Sequence, residues 1–184
     1  MKQLVDFIET IVKLDQDCLD DLYRLAEIEV YKKNQFILKA GQYCNKIWFL
    51  KKGMVRKYHL HNEKEITTWI HLENDTFTSL VSYSRNQPSD EYLQACEDTE
   101  TIGITRQNSE KLVIHPQFVL FSNTLMAREM ANIDIHTKEL AERDARGKYE
   151  YLRLIAPEMV KRAKLGYIAS VLGLSQETLS RVRK

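Results

Sequence analysis

The sequence predicts an α+β chain: two N-terminal helices, a β-barrel or jelly roll, one long helix and a small helical domain. Three observations carry this. Between about Ile28 and Thr105 the chain falls into short runs rich in β-branched and aromatic residues, divided by turn signals. Residues 117–143 hold neither Pro nor Gly and repeat apolar residues every seven positions. The C-terminal segment has the small, turn and apolar residues of a tight helical pair.

Each element has its own signal. Leu4, Val5, Phe7, Ile8, Ile11, Val12 and Leu14 recur close to a 3.6-residue period, and Leu19, Leu22, Leu25 and Ala26 resume it after Asp15-Gln16-Asp17. That pattern predicts two short helices, the second capped near Asp15. Strands are expected at Phe36-Ile37-Leu38, Ile47-Trp48-Phe49-Leu50, Met54–Tyr58, Ile66–Ile70, Tyr92–Cys96 and Thr101–Thr105. Val81–Ser89, with Asn86-Gln87-Pro88, reads as a loop. Trp48 and Trp69 are expected in the barrel core, and Lys51-Lys52 with Arg56-Lys57 on a solvated strand face.

After Pro116, Val119, Met126, Ile133 and Leu140 recur every seven residues, with Met130 and Thr137 beside them. A helix of this length is about twice the average, which favours a seam with a second copy over a helix that only covers its own core. Ala145–Met159 reads as a further helix, stopped at Ala156-Pro157. The expected division is a β domain with its N-terminal helices over 1–115, a dimerisation helix over 116–142 and a small helical domain over 143–184.

Composition excludes several classes. At 184 residues, 43% apolar and 29% charged, with three Pro and six Gly, the chain is neither disordered nor low-complexity. No apolar run approaches the roughly 18–20 residues of a membrane span. Asp6 and Glu9 interrupt the first apolar stretch, so it does not read as a secretory signal. Cys18, Cys44 and Cys96 form no C-x-x-C, which removes a zinc ribbon or a sequence-local iron–sulfur cage. They are expected as small buried hydrophobes in a reducing, cytoplasmic setting. The net charge of +1 hides an asymmetry: residues 143–184 hold ten Lys/Arg and four Asp/Glu, and residues 1–142 hold 17 and 22. A basic head on an acidic body points to where a polyanion would bind.

The most specific signal is at the C-terminus. Ala169 is the small residue where two helices of a helix-turn-helix would cross. Gly173 supplies the turn, and Ile168, Leu172, Leu174, Leu179 and Val182 lock the pair. Ser175 is a good N-cap for the second helix. Gln176, Glu177, Thr178, Ser180 and Arg181 then occupy the half of a recognition helix that meets bases. Gln suits adenine, Glu accepts from cytosine N4, and Arg clasps guanine O6/N7. Ser175, Thr178 and Ser180 suit phosphates, and Arg183 and Lys184 add basic charge.

Ile168–Arg181 resembles the DNA-reading motif of the Crp/Fnr transcription regulators, with Ser175, Glu177, Thr178 and Arg181 matching its Ser-x-Glu-Thr-x-x-Arg core. Lys39-Ala40-Gly41-Gln42 and Ile47–Gly53 resemble the two-glycine hairpin signature of that family's cyclic-nucleotide-binding-type β-roll. The resemblance covers nearly the whole chain. It implies a sensor β-roll, a dimerisation helix, and a homodimer reading palindromic double-stranded DNA with helices about 34 Å apart. It also implies contact with RNA polymerase and no enzymatic activity. The corresponding effector pocket would hold Thr78, Ser79, Leu80, Arg85, Ser89, Asp90 and Glu91. Where nucleotide-binding relatives have Gly-Glu-Leu and an Arg-Ser/Thr pair, this sequence has Thr78-Ser79-Leu80 and Ser89-Asp90-Glu91. Carboxylates there would repel a cyclic phosphate, so cyclic AMP is not expected and the effector stays open. No cofactor is expected. Family members often carry β wings around the helix-turn-helix; here the head is expected to be wingless or clipped.

A competing reading is a metal-dependent enzyme. Gly53, His59, His61 and Glu65 resemble the first metal motif of cupins. His59 and His61 alternate on one strand face, and Glu65 returns across the hairpin. The motif's closing glycine would fall at Leu72, and no second motif with a distal His is evident near Gly103–His115.

Overall fold

The computed structural model describes residues 1–183. Helices α1 (Lys2–Ile8) and α2 (Gln16–Leu25) precede strands β1 (Glu27–Tyr31), β2 (Phe36–Leu38), β3 (Lys46–Lys52), β4 (Val55–His61), β5 (Lys64–His71) and β6 (Thr76–Phe77). Helix α3 (Leu80–Arg85) leads to β7 (Glu91–Ala95) and β8 (Thr99–Thr105). The remainder is helical: α4 (Arg106–Leu112), α5 (Pro116–Glu142), α6 (Ala145–Ile155), α7 (Pro157–Arg162), α8 (Leu165–Val171) and α9 (Gln176–Val182).

The strands form two antiparallel sheets. Sheet A has the order β1-β8-β3-β6 and sheet B the order β2-β7-β4-β5. Trp48, Leu50, Val55, Phe77 and Leu93 fill the space between them. Phe49 and Ile102 face the other way, into a second core built with Leu4, Ile8, Leu22, Leu112, Phe118 and Phe121. Strand β3 is thus buried on both faces, which is why Ile47–Leu50 is an unbroken apolar run rather than an alternating one. Gly53 closes the β3–β4 turn at φ +102°, and a Cβ there would stand 2.8 Å from the Thr99 Cα, so only glycine fits. A third core lies beyond sheet B, where Met54 and Ile70 pack with Leu152, Met159, Ile168, Leu172 and Leu179 of the C-terminal helices.

Helix α2 stands where the period places it, and the Asp15 side chain accepts from Cys18 N at 2.9 Å, but α1 ends at Ile8, so Ile11, Val12 and Leu14 follow the helix rather than extend it. Helix α5 starts at Pro116 and its C-cap is Arg143. Cys18 and Cys44 are buried, Cys96 is half-buried, and all three are free thiols.

Several expectations need correction. Val81–Ser89 is mostly helix α3, ended by Asn86 in the left-handed region at φ +51°. Pro157 does not merely stop a helix; it sits in the first turn of α7, where its missing N–H costs nothing. Trp69 is outside the barrel core, stacked on His136 of α5 at 5.0 Å. Arg56 is 3% exposed, not on a solvated face. Strands β1 and β6 and helix α4 carry no strong local signal in the sequence.

Candidate nucleic-acid interface

Helices α8 and α9 meet in a tight turn. Gly173 adopts φ +64°, and Leu174 N donates to Ala169 O at 2.8 Å, so the chain reverses within one turn of α8. Ile168, Ala169, Leu172 and Leu179 are buried between the helices and α6–α7, with Leu174 and Val182 half-buried beside them. The Ser175 side chain accepts from Thr178 N at 3.1 Å, which starts α9. Gln176, Glu177, Ser180, Arg181 and Arg183 are exposed and Thr178 is half-buried. A Cβ on Gly166 would stand 2.6 Å from Gln176 Nε2, so the Gln176 amide rests over the first turn of α8. Arg181 Nη2 donates to Thr178 Oγ1 at 3.4 Å. Hydrogen bonds from its own backbone N–H and from the Ser175 hydroxyl hold the Glu177 carboxyl below its usual range. Lys184 lies outside the described residues.

The helical domain is seated on sheet B. Ser170 Oγ accepts from Thr67 N at 2.8 Å and donates to Thr67 O at 3.2 Å. The Arg56 guanidinium lies between two rings, 3.9 Å from the Tyr58 centroid and 4.2 Å from that of Tyr167. It pairs with Glu65 at 2.6 Å and donates to Gln94. Arg162 bonds both oxygens of Glu73 at 2.7 and 2.9 Å, Gly53 O at 3.2 Å, and Glu97. These hydrogen bonds hold the Glu73 carboxyl down to about 2. Local sequence patterns do not expose these residues, because their partners lie far away along the chain.

On α5, Phe118 and Phe121 are buried against the β domain, whereas Met126, Met130 and Ile133 are exposed. Val119 is half-buried, and Leu140 is half-buried against the helical-domain core.

The expected effector residues divide. Ser79 Oγ lies 2.9 Å from Ser89 Oγ and donates to Glu91 at 2.8 Å, so these three satisfy one another. Thr78 Oγ1 donates to Lys46 O at 2.8 Å. Thr78 and Leu80 line a groove under α5, while Arg85 and Asp90 are exposed and do not line it.

The three candidate metal ligands do not converge. Asn62 and Glu63, at φ +48° and +61°, make a two-residue turn that pairs His61 with Lys64 and Leu60 with Glu65. Glu65 therefore shares a face with Leu60, opposite to that of His59 and His61. Its carboxylate is already engaged by Arg56.

Residues 28–115 match the cyclic nucleotide-binding domain family. The fold is similar to that of a protein described as a Crp/Fnr-family transcriptional regulator from Eubacterium rectale, at 19% identity and TM-score 0.67, covering 92% of this chain and 82% of that one. In fold, the chain is Crp/Fnr-like. The Crp/Fnr-like architecture is also similar to FixK2 from Bradyrhizobium japonicum, at 23% identity and TM-score 0.69, covering 86% of this chain and 82% of that one. The catabolite activator protein of Thermus thermophilus is similar at 21% identity and TM-score 0.59, over 94% and 84% of the two chains. No curated protein matches by sequence. Among the described residues of this Crp/Fnr-like chain, no helix is long and apolar enough to cross a membrane.

Proposed function

We propose that the chain is a homodimeric transcription regulator that reads a palindromic DNA site with α9. The observation that carries the reading is the α8–α9 pair: a glycine-turned hairpin with a buried apolar lock, presenting Gln176, Glu177, Ser180 and Arg181 outward together. Ser175 and Thr178 stand at the same helix start, where phosphate contacts would fix its register. The excess of Lys/Arg over 143–184 supplies the long-range attraction, and the acidic remainder confines contact to that head.

Residues 1–115 are then the sensor, 116–142 the dimerisation helix and 143–184 the DNA head. The exposed strip of Met126, Met130 and Ile133 supports a seam with a second copy. RNA polymerase is the further partner, and the cytoplasm is the compartment. The Ser79–Ser89–Glu91 cluster argues against a cyclic phosphate, because it offers a carboxylate and no guanidinium. A cupin-like metalloenzyme finds no support, since Glu65 points away from His59 and His61.

Selection of genomic fragments by the purified full chain tests this reading. A palindromic consensus with half-sites about one helical turn apart is expected, with affinity falling steeply as salt rises. Fragments without shared sequence, or no salt-dependent retention, would overturn it.

A further inference from the structure

We infer that Gly166 of α8 is a positioning residue for DNA readout: its missing side chain makes the seat from which the Gln176 amide reads one adenine–thymine pair in each half-site. This role rests on α9 being the base-reading helix. Gly166 lies in the first turn of α8, and Gln176 is the first residue of α9, so the turn through Gly173 folds the two positions together. A Cβ on Gly166 would stand 2.6 Å from Gln176 Nε2, 3.2 Å from its Cδ and 3.9 Å from its Cγ. The three nearest atoms thus belong to one side chain, and the bare position makes room for that side chain before any other.

The backbone gives no second reason for a glycine here. The glycines in the left-handed region are Gly41, Gly53 and Gly173, and Gly166 is not among them. A glycine inside a helix weakens it relative to alanine. At Gly166 that weakening is offset by nothing but the space that Gln176 occupies.

The neighbours of Gln176 on α9 are engaged locally. The Glu177 carboxyl is held by its own backbone N–H and the Ser175 hydroxyl, and Thr178 Oγ1 accepts from Ser175 and Arg181. Among the described residues, the exposed Gln176 amide stays outside this network, so its N–H donor and its carbonyl acceptor both remain open. An amide with both groups open matches the N6–H and N7 of adenine, as a bidentate pair in the major groove. Resting on α8, the long side chain is restrained before DNA arrives, which lowers the entropic cost of ordering it on a base.

Selection from random-sequence DNA duplexes by the full chain, Gly166→Ala, Gln176→Ala and the double variant tests this. The natural chain should select an A·T pair in each half-site that Gln176→Ala no longer prefers. In Gly166→Ala the added methyl displaces the amide, so discrimination at that same pair should fall about 5- to 50-fold, with the other positions unchanged. Adding Gly166→Ala to Gln176→Ala should change nothing further. Gly166→Ala should also melt no lower than the natural chain, because alanine favours the helix. A structural defect would instead lower the melting temperature and weaken all sequences alike, and that result overturns the proposal. An unfolded Gly166→Ala overturns it too, since a group other than Gln176 would then be crowded. So does an unchanged consensus in either single variant, or a further loss in the double variant. Each of these leaves the DNA reading standing as long as the natural chain selects a palindrome. No consensus from the natural chain overturns both.

Discussion

Ser170 of α8 and Thr67 of β5, 103 residues apart, exchange two hydrogen bonds through one hydroxyl. Strand β5 is an edge of sheet B, and Thr67 turns its N–H and C=O outward. The hydroxyl satisfies both groups where the helical domain covers them, which an open edge otherwise leaves to solvent or another chain. Ser170→Ala should cost about 1–3 kcal/mol, because two partly buried backbone groups lose their partner. Urea denaturation with unchanged m-value checks this. Wild-type stability in the variant would mean that water replaces the hydroxyl.

Arg162 should make the stability of the domain contact depend on acid pH. Its hydrogen bonds are the chief cause of the fall of Glu73 to about 2 from an ordinary 4.5. A carboxyl with a lowered native pKa contributes fully above the ordinary value and loses that contribution as pH falls toward 2. Arg162→Met should remove this acid-sensitive term. With Glu73 31% exposed on its side chain, solvent screening limits the loss at neutral pH to about 1–2 kcal/mol. Thermal melts from pH 7 to pH 3 should show a shallower slope for the variant.

What was legible in the sequence was what is encoded locally. Ile47–Leu50 announces a strand, and Asp15 and Ser175 announce caps that form as expected. The glycine turn at Gly173 and the apolar lock around it are equally local. Helix α3 was not legible: its six residues carry Ser82 and Ser84 and end in Asn86, a polar texture that also suits a loop. The misplacement of Glu65 has a different cause. A hairpin turn one residue longer or shorter would move Glu65 to the face of His59, and only the observed pairing distinguishes these. Arg56 looked like one of a run of surface cations, because its burial depends on Tyr167, more than a hundred residues away. Long-range pairing of this kind leaves no periodic trace.

His71→Leu should stabilise the protein, most clearly in mild acid. The ring stacks on Phe77 at 5.4 Å, its Nε2 is buried without a partner, and Asp75 stands 3.8 Å from Nδ1. Burial, aided by Lys57, lowers its pKa to about 3 from an ordinary 6.5. The folded state therefore resists the proton that the unfolded chain accepts, and stability is lost as pH falls from 6.5 toward 3. Leucine removes that term, so the variant should gain about 2 kcal/mol more at pH 5 than at pH 8. Equal gains at both pH values would mean that His71 is solvated in the native state.

Arg181→Ala tests the proposed recognition helix at its most specific point. The side chain is exposed on the last turn of α9, and its one intramolecular bond among the described residues is a long one to Thr178 Oγ1. It is therefore free to leave that contact at little cost. Bidentate binding to guanine should make the variant lose about 1–3 kcal/mol on the selected site and relax preference at a single base pair per half-site. Arg183→Ala should instead weaken all sequences alike and lower the salt slope by about one, as a phosphate contact does. Fluorescence anisotropy on a set of single-base variants of the selected site, at several salt concentrations, separates the two behaviours. Unchanged affinity and specificity in Arg181→Ala would remove α9 from the base-reading role. Uniform weakening by both variants would leave α9 on the DNA backbone and place sequence readout elsewhere.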